Sequence, residues 1–214
     1  MVSVKKIILD TMINFHLKKI KQLEDDVFKS NHTHKASESS PARFNKIFTS
    51  PILFANGKPI SIKISSLLFL NSFFNDIRQS MEFSDINFSA PTKMKDGFFR
   101  KLVSYQKHLK INSLSYSYVP REFIYKDMAI PHKNAIVLAL EMDNKKELGI
   151  ELVRKGNFQI LQAYQNLWCK TFELAKFLRD NGYSAYPGHP FLGAVSYISL
   201  AKAAGLGWVE QTNC

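Results

Sequence analysis

The chain has 214 residues, 45% of them hydrophobic and 22% charged, which is ordinary globular usage and excludes global disorder. The formal net charge of +11 invites a nucleic-acid partner, but the cations are scattered, and the densest run, Lys18, Lys19 and Lys21, is followed at once by Glu24, Asp25 and Asp26. No helix-turn-helix spacing, zinc-finger ligand set or aromatic RNA-binding pattern accompanies the charge, so a solvated basic surface is the expected state and nucleic-acid binding the alternative. Two cysteines, Cys169 and Cys214, exclude a disulfide framework and paired CxxC metal ligands.

From the N-terminus, Val4, Ile7, Ile8, Met12, Phe15, Ile20 and Leu23 lie near helical spacing and predict an amphipathic helix over residues 4–23. Lys5, Lys6, Asp10 and Lys18 interrupt it, which argues against a secretory leader. Residues 31–41, rich in Ser and small polar side chains, read as a mobile linker, with His32 and His34 as exposed histidines without ligand partners. Pro51, Asn56, Gly57 and Pro59 make the next stretch irregular, with at most a short strand. Residues 60–77 read as a buried helix or a strand followed by a helix. Their apolar run, 65–74, is too short to cross a bilayer, so no membrane partner and a cytoplasmic location are expected.

Asp96 is placed to cap a helix whose face carries Phe98, Phe99, Leu102, Val103 and Leu109. Residues 111–119 alternate and predict a strand, with Leu114, Tyr116 and Tyr118 on one side, the tyrosines toward the core. Residues 135–142, Ala-Ile-Val-Leu-Ala-Leu-Glu-Met, predict a strand covered on both faces. A long helix follows through Ile160, Tyr164, Leu167, Trp168, Leu174 and Leu178, closed by Gly182. Residues 183–186 read as a short strand, Pro187 to Pro190 as a turn-rich loop, and Ser196 as the cap of a last helix ended by Gly205. This order predicts an α/β sandwich. A division into residues 1–95, helical and irregular, and 96–214, an α/β core, follows from the change in pattern.

Tyr118-Val-Pro-Arg-Glu-Phe-Ile124, the strand at 135–142, Leu174-Ala-Lys-Phe-Leu-Arg-Asp-Asn-Gly-Tyr183 and Ala203-Ala-Gly-Leu-Gly-Trp208 together resemble the corrinoid iron–sulfur proteins of the epoxyqueuosine reductase and reductive dehalogenase type. The resemblance covers about residues 111–208. It implies a nitroreductase-like α/β/α sandwich that holds cobalamin, followed in the family by a ferredoxin-like module with [4Fe–4S] clusters. Cysteine ligands for such clusters are missing here, and after Trp208 the pattern gives way to Glu210-Gln-Thr-Asn-Cys214. A truncated homologue, incomplete at its C-terminus, is therefore expected, without catalytic competence on its own. A stand-alone corrinoid-binding or trafficking module is the alternative, and an electron-transfer partner or homo-oligomer is the implied assembly. Whether the chain is an enzyme is left open.

The resemblance places a catalytic acid before a proline in the loop where this chain has His189-Pro190, so His189 is the candidate proton donor. Tyr186, Gly205, Gly207 and Trp208 are the candidate corrinoid-binding residues, the glycines by allowing close backbone approach. Arg121 and Lys126 are basic residues available to a phosphate or a corrinoid carboxamide, with plain solvent exposure as the alternative.

Overall fold

The computed structural model describes the backbone of residues 4–30, 33–42, 54–55, 58–59, 64–81, 87, 89–91, 93–141, 152–189 and 193–207. Side chains are described for 11–30, 33–42, 71–79, 87, 89–91, 93–141, 163–189 and 193–207. The fold is mixed α/β. Helices α1 (Val4–Lys29), α2 (Ile64–Met81), α3 (Phe98–His108), α4 (Leu152–Asp180) and α5 (Tyr197–Ala203) accompany six short strands. These are β1 (His34–Lys35), β2 (Phe54–Ala55), β3 (Lys58–Pro59), β4 (Ser113–Tyr118), β5 (Ala129–Ile130) and β6 (Asn134–Ala139). Among the described residues the strands pair as β1 with β5, β2 with β3 and β4 with β6, each antiparallel.

The predicted first helix exists and runs on to Lys29. Its buried stripe, His16, Ile20, Glu24 and Val27, repeats at helical spacing. That stripe meets α2, whose Phe73, Phe74 and Ile77 are among the most buried side chains. The His16 ring stacks on Phe74 at 5.2 Å, and its Nε2–H donates to Asn71 Oδ1 at 3.1 Å. Burying each Phe contributes about 1.5–3 kcal/mol, and residues 64–81 form a helix and not a strand.

Residues 33–42 form no loose linker. His34 and Lys35 pair with Ile130 and Ala129, and Arg121 clamps the same segment, donating from Nε to Lys35 O at 2.9 Å and from Nη2 to Ala36 O at 3.2 Å. Buried Ser40 donates to Arg121 O at 2.9 Å. The small polar composition thus supplies tight turns and backbone partners. Arg121 spends these donors on the protein's own carbonyls, whereas Lys126 is exposed. The early segment is thereby tied to the later one across the division at residue 95. His32 lies outside the described residues.

In the second part, β4 and β6 form one ladder with Tyr116 opposite Ile136 and Tyr118 opposite Asn134. Only Val137 of β6 is fully buried, so this strand is not covered on both faces as its apolar run suggests; residues 142–150 lie outside the described ones. One side of the ladder packs on a core of Phe98, Leu102, Leu109, Ile111 and Leu174, and a second core joins Val119, Ile124, Met128, Val137, Val195 and Leu200. Residues 183–186 form no strand. Ala185 O accepts from Arg179 Nε at 2.8 Å, and Tyr183 Oη accepts from Lys95 N at 2.8 Å, so side chains take the place of a ladder.

The N-cap of α3 is Gly97, at φ +76°, with no side-chain cap, so Asp96 does not take the predicted role. Phe99 points outward beside Tyr116, and the buried stripe of this helix is Phe98 and Leu102. At the other helix ends the capping prediction holds. Gly182 N donates to Arg179 O and Tyr183 N to Leu178 O; Gly205 N donates to Lys202 O and Leu206 N to Ala201 O. Both are Schellman closures, with the glycines at φ +85° and +71°. Ser196 Oγ accepts from Ser199 N and caps α5 as expected.

Helix α3 closes in the same way through Lys110, a non-glycine residue at φ +53°. The left-handed region costs an L-residue about 1–2 kcal/mol, and glycine recovers part of that against its greater unfolded-state entropy. Lys110→Gly is therefore expected to stabilise the chain by about 0.5–1 kcal/mol, read as a higher urea midpoint with an unchanged slope.

Candidate functional site

A cleft of about 1410 Å³ opens between the β4–β6 ladder, the second half of α4, the segment 183–189 and the start of α5. Ligand pockets commonly enclose about 300–1,000 Å³, so this one suits a large ligand. Its walls are mostly apolar but unusually rich in phenols: of eight tyrosines in the chain, all but Tyr105 line it. Tyr116 and Tyr118, two apart on β4, project to the same side. Rather than entering the core they stay open to solvent, Tyr118 at 54% exposure. Ile198, at 69% exposure, and Met94 add further exposed apolar surface to the same walls.

The floor is the segment leading from α4 to α5. Tyr197 Oη donates to His189 O at 3.0 Å. A Cβ at Gly188 would stand 2.8 Å from that hydroxyl oxygen, and one at Gly193 would collide with it more closely still. Two glycines therefore enclose one phenol, and this is where close approach demands glycine. Burial pushes the Tyr186 and Tyr197 hydroxyls well above the usual phenol range, so both keep their protons as hydrogen-bond donors.

His189 is 2% exposed. Its ring meets Phe73 edge-on at 5.3 Å and Trp168 at 5.3 Å. Burial pushes its pKa down to about 3, so the imidazole is uncharged at neutral pH. The expected proton donor thus occupies an aromatic packet in which the imidazolium form is disfavoured. Beside the packet, the Asp76 carboxyl is held above its usual range by burial, although hydrogen bonds from Gln165 and Trp168 favour its anion.

Of the candidate ligand contacts, Tyr186 lines the cleft together with His189. Gly205 and Gly207 are exposed beyond α5 and are not among the walls; Gly205 serves the helix closure. Trp208 and Cys214 lie outside the described residues. Sequence reasoning missed His132, Lys133, Lys93 and Ser184, all wall residues. His132 Nε2 and Ser184 Oγ share a hydrogen bond at 3.0 Å, and burial, then the charge of Arg179, pushes the His132 pKa down. No pattern marked these residues, because they come from separate segments and only the fold joins them.

Among the described residues no group of three or more His, Cys, Asp or Glu is placed to hold a metal ion, and no helix is long and apolar enough to cross a membrane. The exposed Cys169 thiol has its pKa raised by burial and then by Asp76 and Glu173, which keeps it protonated and weakly nucleophilic.

A histidine whose pKa falls on folding binds more protons unfolded than folded. Its contribution is present above the unfolded value of 6.5 and is lost as pH falls toward 3. Unfolding free energy is expected to fall by up to about 1.4 kcal/mol per pH unit below 6.5 on account of His189. Urea titrations of wild type and His189→Leu between pH 7 and 4 should show a shallower pH dependence in the variant; parallel curves contradict the assignment. Gly193→Ala is expected to cost about 1–3 kcal/mol through displacement of Tyr197, measured by the same denaturation.

No family model matches the chain, and neither a curated protein nor a solved structure matches it.

Proposed function

We propose that the cleft binds a corrinoid and that the chain is the cofactor-holding part of a reductase of the epoxyqueuosine reductase and reductive dehalogenase type, with a nitroreductase-like fold. The observation that carries this reading is the tyrosine-lined cleft, whose size and exposed apolar walls suit a broad, amide-fringed macrocycle. The resemblance across residues 111–208 supplies the ligand's identity. Bound cobalamin would supply the low-potential reducing chemistry.

The chain's own residues would do the rest. Tyr116 and Tyr118 offer apolar ring faces with hydroxyls for amide groups, Tyr186 offers a protonated phenol, and Gly188 and Gly193 hold the floor rigid around Tyr197. A [4Fe–4S] cluster requires four cysteine thiolates. These 214 residues hold two cysteines, so the cluster ligands of such a reductase would lie outside them.

Hydroxocobalamin mixed with the folded chain is expected to show a saturable change in its visible spectrum. Tyr116→Ala with Tyr118→Ala removes two exposed rings at little cost in stability. It should weaken binding about tenfold or more, since aromatic anchors dominate such surfaces. A folded wild-type sample that leaves the spectrum unchanged defeats the proposal.

A further inference from the structure

Ser184 and His132 line the cleft from different segments, and Ser184 Oγ stands 3.0 Å from His132 Nε2. Both residues are half-buried, so a ligand in the cleft can reach them. Each is held in place through its neighbours. Ser184 follows Tyr183, whose Oη accepts from Lys95 N at 2.8 Å, and precedes Ala185, whose carbonyl accepts from Arg179 Nε at 2.8 Å. His132 lies between buried Pro131 and Lys133, whose carbonyl accepts from Val119 N at 2.7 Å. A hydroxyl and an imidazole fixed at hydrogen-bond distance are the working parts of nucleophilic acyl transfer. Burial favours the neutral imidazole, and in its Nδ1–H form that ring accepts the Ser184 proton at Nε2.

The surrounding wall supplies what such a pair needs. Ala185, next after the serine, is buried, and its backbone N–H donates to no group among the described residues. An unpaired N–H at that position is a donor available to an oxyanion. On the β4–β6 ladder, Tyr118 pairs with Asn134, two residues past His132, so its exposed ring borders the same end of the cleft. An aromatic or other apolar group fits against it.

We propose that Ser184 and His132 form a nucleophile–base pair that hydrolyses carboxylic esters bearing an apolar group, an activity independent of any corrinoid. Ser184 Oγ attacks the ester carbonyl carbon while its proton passes to His132 Nε2, and the carbonyl π pair moves to oxygen. Collapse of that oxyanion breaks the ester C–O bond, and the imidazolium protonates the departing alcohol. Water then attacks the acyl carbon on Ser184 and gives a proton to His132. The second collapse releases the acid, and the proton returns to Ser184 Oγ.

The test uses the full chain, free of corrinoid, with p-nitrophenyl butyrate as substrate and a fluorophosphonate that caps an activated serine irreversibly. Wild type is expected to release nitrophenolate and to carry the phosphonyl group on Ser184, located by peptide mass mapping. Ser184→Ala should lose both. His132→Gln should slow both about 100-fold or more, the usual worth of a general base. Wild type without hydrolysis, a label that falls elsewhere than Ser184, or hydrolysis unchanged in Ser184→Ala overturns the pair. Should either variant fail to fold, the fluorophosphonate on wild type decides alone: a label on Ser184 that butyrate ester competes away sustains the proposal, and no label there removes it.

Discussion

Three separate parts of the chain meet at the His189 ring. Phe73 comes from α2, Trp168 from α4, and the histidine itself from the segment that forms the cleft floor. Each aromatic contact of this kind adds about 0.5–1.5 kcal/mol beyond area burial. A charge placed there would have to be desolvated, and burial drives the pKa down to about 3 for that reason. The floor's position thus depends on an uncharged ring between two aromatic neighbours. From the other side, Tyr197 holds the same residue by its carbonyl. Trp168 in turn joins Gln165 on Asp76, which links α4 back to α2.

With the floor fixed, the cleft's character follows from what the walls leave open. The β4–β6 ladder packs on one core through Leu114 and Ile136 and supports a second core through Val137. Tyr116 and Tyr118, on the same face as Leu114, stand beyond the edge of the first core and stay open to solvent. Exposed apolar side chains scattered singly need no explanation, but Met94, Tyr116, Tyr118 and Ile198 border one opening. Tyrosine at such places serves two solvents. Its ring presents an apolar face while its hydroxyl remains hydrated.

Periodicity made the long elements legible. The helices at residues 4–29 and 152–180, the strand at 113–118 and the Ser196 cap all follow from local spacing and local hydrogen-bond demand. The same reading went astray wherever a choice depended on a distant segment. Alternation on β4 places Tyr116 and Tyr118 on one side but does not say whether that side is covered. The Ser-rich stretch at 33–42 looks mobile until Arg121, more than eighty residues later, binds its carbonyls. Of the candidate residues, Tyr186 and His189 line the cleft. His132 and Ser184 were not legible, since their relation exists only after α4 turns at Gly182.

The glycines make the distinction concrete. Gly205 and Gly207 attract notice because they flank a leucine in the most specific stretch of the sequence, and glycine suits a backbone that must approach a ligand. Yet Gly205 has nothing near its missing side chain and answers to a left-handed helix closure instead. Close approach occurs at Gly188 and Gly193, where the neighbour is the chain's own Tyr197 hydroxyl. Their φ values lie outside the left-handed region, so steric room, and not backbone conformation, sets the requirement. A side chain at either position would push Tyr197 away and release the carbonyl of His189. The aromatic packet and the cleft floor would then loosen together, which makes these two glycines, rather than the pair beyond α5, the ones on which the site's geometry rests.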